Sequence, residues 1–182
     1  MSAARASLWG ITLKSVVVHT VTYIIVGILA SSLFDYASLF AEAGYSGFMR
    51  QMNDPLVTAG PLFQPIRGVL FGVVFYLLQD VLLWRSRGWL IAWVTLVFVG
   101  IFSTFGPAPG SIEGMIYTTF PVTRQLGGMV EVLVQSLLLS AVLFYWVNHL
   151  EKRWINWVLG ALFVIGILLP ALGLLVGGMG TA

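Results

Sequence analysis

Three ionisable side chains fall inside long apolar stretches of this sequence, namely His19, Asp80 and Glu131. A charge inside an apolar layer is costly, so each is a candidate for a functional role. His19 follows Lys14 by five residues. Asp80 precedes Arg85 by the same number, so helical rise puts both candidates about 7–8 Å inside the same edge of the layer. We expect His19 and Asp80 to pair, either to handle protons or to fix the helix register through a buried hydrogen bond.

One face of the first apolar stretch carries small and polar residues at helical spacing: Ser15, His19, Tyr23 and Gly27. Such a stripe is typical of a helix face that points into a bundle and away from lipid. We therefore predict that this face lies in the interior.

A second group of polar side chains gathers around Glu131. Arg124 precedes it on the same predicted helix, and Gln135 follows it by one turn. The neighbouring helix and loops contribute more, and the expected outer pocket consists of Arg67, Arg124, Glu113, Glu131, Gln64 and Gln135. We interpret this pocket as a substrate or ion site, with an ion-pair network that holds the external segments on the bundle as the alternative.

The sequence excludes several kinds of site and lacks the residue patterns of others. The absence of cysteine excludes disulfides, thiolate metal sites and cysteine nucleophiles. No helix carries two histidines at ligand spacing, and 106–110 is interrupted by prolines that remove the amide donors of a phosphate cradle. We therefore predict no catalytic residues, no metal and no cofactor. The nine basic residues are scattered, so nucleic acid is not an expected partner.

Composition identifies the class of protein. Of 182 residues, 59% are hydrophobic and only 9% are charged, against about 25% charged in soluble domains. The bilayer is therefore the expected partner, and the fold class is an all-α integral membrane protein with one polytopic domain over 1–182. The run from Ser15 to Phe34 is longer than the core of a signal peptide, so it is expected to stay as a helix. Five spans are predicted, at 13–34, 67–84, 89–105, 126–148 and 155–177.

Basic residues predict the orientation. Those near the first span and in the two short turns lie on one side: Arg5, Lys14, Arg85, Arg87, Lys152 and Arg153. The positive-inside rule then predicts a cell-membrane protein with a cytoplasmic N-terminus and an extracytoplasmic C-terminus.

Two structured extracytoplasmic connections are predicted. In the first, Asp54 and Pro55 form a helix start that Pro61 and Pro65 should end. In the second, Ser111 should cap a short helix. The apolar residues that follow it favour either an external cap or a re-entrant segment for 106–120.

Small residues on the last span suggest close helix packing, either within the chain or in a homo-oligomer: Gly166, Pro170, Gly173 and Gly177. Three functions remain open. The first is a small transporter or channel with a polar site in the outer half. The others are a structural or accessory subunit of a larger membrane complex, and an intramembrane enzyme acting on a lipid, which is the least favoured.

Overall fold

The computed structural model describes residues 6–179, and every regular element within that range is a helix. A turn of π-helix, Phe98–Phe102, continues the sixth helix. In chain order the helices are α1 (Leu8–Leu33), α2 (Tyr36–Ala41), α3 (Ala43–Ser46), α4 (Pro55–Leu77), α5 (Gln79–Leu82), α6 (Gly88–Val97), α7 (Ile112–Tyr117), α8 (Val122–Asn148) and α9 (Arg153–Met179). Arg5 and Ala182 lie outside the described range.

Four helices are long and apolar enough to cross a membrane: α1, α4, α8 and α9. The remaining apolar helix, Gly88–Phe102, is shorter. At 15 residues it extends about 22 Å, against about 30 Å for the hydrocarbon core of a bilayer. The third predicted span, 89–105, is therefore not a full-length helix.

The chain nevertheless runs the length of α8 between residues 83 and 110. Asn148, at the end of α8, donates to the Leu83 carbonyl at 2.9 Å. Near the start of α8, Gln125 accepts from the Gly110 amide at 3.0 Å. This segment therefore lies antiparallel to α8, with a helical first part and an irregular second part.

Helix α1 is the centre of the bundle and packs against α4, α8 and α9. Within its apolar window 44% of the residues are buried, against 11% in α9. Ile11 and Val18 are completely buried. The remaining long helices therefore surround α1, and α9 lies at the periphery.

Helices α1 and α4 approach each other closely at two glycines. A side-chain carbon added to Gly68 would lie 2.5 Å from the Val16 backbone, and one added to Gly72 would lie equally close to Thr12. These glycines form a Gly-x-x-x-Gly pattern, which allows backbone contact between membrane helices. The sequence analysis did not single out this pattern, although it is visible in the sequence.

Helix α4 begins as predicted, with the Asp54 side chain accepting from the Leu56 amide at 2.8 Å. The prediction that Pro61 and Pro65 end this helix is wrong, because α4 continues to Leu77. Membrane helices tolerate proline where neighbouring groups compensate for the lost backbone bond. The second span therefore starts well before the predicted residue 67.

The predicted first, fourth and fifth spans agree with α1, α8 and α9 to within five residues. On α9, a carbon added to Gly166 would lie 2.5 Å from the Ile24 side chain, so this glycine packs against α1. Gly173 faces Thr58 of α4. These two glycines therefore pack within the chain. The surroundings of Gly177 lie outside the described part.

Replacing Gly68 with alanine should separate α1 from α4, because the new methyl group would overlap the Val16 backbone. We expect a loss of about 1–3 kcal/mol, typical of overpacking, visible as a lower unfolding temperature in detergent. Gly127→Ala on α8 is the matched control, since nothing lies within 4 Å of an added carbon there. Equal unfolding temperatures for the two variants would contradict the close helix contact.

Candidate functional site

His19 forms a buried hydrogen bond between α1 and α4. Its side chain is 1% exposed, and its Nε2 lies 3.1 Å from Oε1 of Gln64. The Gln64 amide nitrogen donates to the Gly60 carbonyl at 3.2 Å. This fixes the amide oxygen toward the ring, so the Nε2 of His19 carries the hydrogen. The other ring nitrogen, Nδ1, is buried without a hydrogen-bond partner among residues 6–179.

The expected His19–Asp80 pair is therefore not formed. Asp80 lies beyond the end of α4, in the short helix α5, and its side chain is exposed. The two helices are neighbours as assumed, but their register brings Gln64 to the level of His19.

Aromatic and basic groups surround the imidazole. The Phe71 ring packs edge-on against it with centroids 4.9 Å apart, and the Tyr23 centroid lies at 6.4 Å. The Arg67 guanidinium lies 6.0 Å from the centroid of Phe71. Arg67 is close enough to act electrostatically on both His19 and Tyr23. A half-buried phenol and an exposed guanidinium therefore lie near the buried imidazole.

Glu131 joins this group from α8. The Tyr36 phenol donates to its Oε2, and its Oε1 would lie 3.9 Å from a carbon added to Gly27. The carboxylate also acts electrostatically on Tyr23. Burial and the hydrogen bond to Glu131 raise the pKa of Tyr36 well above its usual range, so its phenol stays protonated and remains a donor.

We call this group the polar seam, and it consists of His19, Tyr23, Tyr36, Gln64, Arg67 and Glu131. Sequence analysis identified all of its members except Tyr36, which follows the end of α1 and carries no charge. Its position is set by Asp35, which adopts a left-handed φ of 44° and caps α2.

Three expected members of the pocket lie elsewhere. Arg124 pairs with Glu42 at 2.5 Å, and both side chains are nearly half exposed. Glu113 is exposed in the first turn of α7. Gln135 is half-buried one turn beyond Glu131. The alternative interpretation therefore fits Arg124, whose surface ion pair with Glu42 joins the connection between α1 and α4 to the start of α8.

Three hydroxyls on α1 are buried without a hydrogen-bond partner in the described part of the chain: Thr12, Ser15 and Thr20. Other hydroxyls in these helices bond to the carbonyl one turn earlier. Thr22 does so with Val18 at 2.8 Å, and Ser140 with Ser136 at 2.8 Å. The unpartnered state of the three is therefore not a general property of helical hydroxyls.

Gln125, which was not among the predicted site residues, holds the connection between α6 and α8 against α8. Its side chain is 3% exposed and accepts from the Gly110 amide at 3.0 Å. It donates to the Phe120 carbonyl at 2.7 Å and to the Gly114 carbonyl at 3.3 Å. Gly110 has a φ of 88°, a conformation that favours glycine. The predicted Ser111 cap is confirmed, with the side chain accepting from Gly114.

Two surface cavities of the described part lie away from the polar seam. One of about 210 Å³ opens at the end of the bundle where α1 begins, and Lys14 contributes to its wall. The Lys14 ammonium lies 5.4 Å from the Trp146 ring. The second, of about 400 Å³, is an apolar groove between α8 and α9. Within residues 6–179 no three His, Asp or Glu side chains cluster as a metal site requires.

Comparison with protein-family models, curated proteins and solved structures finds no match to this chain.

Replacing Gln125 with methionine should release the segment around α7 from α8. The change keeps the side-chain length but leaves the buried Gly110 amide and the partly buried Phe120 carbonyl without this partner, at a cost of about 1–3 kcal/mol for the buried amide. We expect faster amide hydrogen exchange over 108–118. Gln135→Met on the same helix is the control and should leave that exchange unchanged. Protection equal to the native protein in Gln125→Met would contradict this role.

Proposed function

We propose that this protein is a small membrane transporter or channel whose path follows the interior face of α1. The observation that carries the proposal is a row of buried polar groups along that face. It begins at His19 and Gln64, the two buried members of the polar seam, and continues through Ser15 and Thr12 toward the end of the bundle with the cavity beside Lys14. In a bundle of apolar helices, polar groups at this depth are typical of transport pathways.

Energetics favours this function over a purely structural role for the α1 face. A buried hydroxyl without a partner costs about 1–3 kcal/mol relative to an apolar side chain of similar shape. Thr12, Ser15 and the Nδ1 atom of His19 all incur that cost. Helix packing alone does not require it, because the glycines at 68 and 72 already allow close contact.

The other two candidate functions draw less support from the geometry. The lipid-enzyme alternative needs Arg67, Arg124 and Glu113 around one headgroup, but Arg124 is engaged by Glu42. The accessory-subunit alternative needs a partner surface. The exposed apolar face of α9 is equally suited to lipid, so it does not discriminate.

We propose that the N-terminus is cytoplasmic and the C-terminus extracytoplasmic, with five passes of the chain. The antiparallel path of 83–110 along α8 supports one further pass in addition to the four long helices. The contacts of Lys14 with Trp146 and of Asn148 with Leu83 bring the basic segments near the start of α1, before α6 and after α8 to one side. Basic residues are retained on the cytoplasmic side of bacterial and eukaryotic membranes alike.

The orientation is open to direct labelling because the chain contains no cysteine. Ser38 and Ser86 are both exposed, at opposite ends of the bundle. In right-side-out membrane vesicles, Ser38→Cys should react with a membrane-impermeant maleimide. Ser86→Cys should react only after the vesicles are permeabilised. The reverse pattern would contradict the proposed orientation.

Transport is tested in proteoliposomes that carry a potassium diffusion potential, with separate indicators for protons, sodium and chloride. Wild-type protein should conduct at least one of these ions above protein-free liposomes. Glu131→Gln should abolish that flux, because the carboxylate charge beside Tyr23 is lost. Glu151→Gln, an exposed acid in the turn before α9, is the matched control and should conduct normally.

If the folded wild-type protein conducts none of these ions, that result would contradict transport and favour an accessory subunit. Normal flux in Glu131→Gln would remove the polar seam from the path.

A further inference from the structure

We propose that the transported species is the proton and that His19 relays it between Glu131 and the hydroxyls of the inner half of α1. This inference rests on the proposed transport function and names its substrate.

Packing along the path argues for a proton. At Gly68 and Gly72 the backbones of α1 and α4 are in contact, with no space for even one added carbon atom. A hydrated metal ion or an organic solute needs an open passage through such a contact. A proton needs only hydrogen-bonding groups in sequence, and chains of acids and histidines serve this purpose in membrane pumps.

The histidine has the protonation pattern that a relay requires. Gln64 fixes the hydrogen on Nε2, which leaves a basic lone pair on Nδ1. The ring accepts one proton at Nδ1 to form the imidazolium. The same proton then leaves from Nδ1 toward the Ser15 hydroxyl, because Gln64 holds the hydrogen on Nε2, so each cycle restores the neutral ring in its original tautomer.

The charged and titratable groups around His19 come from each helix that packs on α1. Tyr23 lies one turn away on α1 itself, Arg67 on α4, and Glu131 on α8 acts through Tyr23. Helix α9 contributes no titratable side chain beyond Arg153 in its first turn. Arg67 opposes a second positive charge nearby, which favours release of the proton once the imidazolium has formed.

On the other side of His19, the path continues through two hydroxyls. Ser15 lies one turn from His19 toward the start of α1, and Thr12 lies nearly one turn further. Residues at this spacing have Cβ atoms about 5–6 Å apart, so the proton passes between them when a change of rotamer brings one polar group within hydrogen-bond distance of the next. Both hydroxyls are buried without a partner among the described residues. Beyond them is the cavity lined by Gly10 and Lys14.

The test measures internal pH with pyranine in proteoliposomes under an inside-negative potassium diffusion potential. His19→Gln should lower proton flux about a hundredfold, which is typical of the loss of a positioned acid–base group. The chain has one other histidine, the partly exposed His149 at the end of α8. His149→Gln is the matched control and should leave the flux unchanged.

A second pair of variants covers the case in which His19→Gln fails to fold. Ser15→Ala removes only a hydroxyl from the row and should lower proton flux several-fold. Ser140→Ala removes a buried hydroxyl of α8 that is bonded within its own helix, and it should conduct normally.

The outcomes separate the two proposals. Sodium or chloride flux without proton flux would overturn the proton assignment and leave transport standing. Absence of flux for every ion would overturn both. Proton flux that is unchanged in folded His19→Gln, or equal in Ser15→Ala and Ser140→Ala, would overturn the relay.

Discussion

The backbone contact between α1 and α4 is the constraint on which the rest of the structure depends. Gly68 and Gly72 allow it, and it sets the register of the two helices. That register places Gln64 opposite His19 and Gly60 opposite Tyr23. Since α8 and α9 also pack on α1, the same contact determines which side chains they meet.

The register has a chemical consequence. It buries the imidazole of His19, whose Nε2 has a hydrogen-bond partner and whose Nδ1 has none among the described residues. The hydroxyls of Ser15 and Thr12 nearby also lack partners in that part of the chain. An apolar layer normally excludes such groups because no water compensates them. Their position in one row along the central helix is the reason that we interpret the row as a path, and it explains why Glu131 and Arg67 are held at one end of it.

The sequence predicted those elements whose signal lies within one segment. Long apolar runs identified α1, α8 and α9, and the cost of charge in lipid selected His19 and Glu131 as candidate site residues. Contacts between segments were not predictable in the same way. The partner of His19 depends on the α1–α4 register, so Asp80 was chosen in place of Gln64. Gln125 was missed because an uncharged amide at a helix start carries no distinctive signal.

The claim that the row on α1 conducts protons is tested most directly by the current that the protein carries across a planar bilayer with different pH on the two sides. Our account predicts a reversal potential that shifts by about 59 mV for each unit of pH difference, the value for one charge per proton. A reversal potential that follows the sodium or chloride gradient and ignores pH would contradict it.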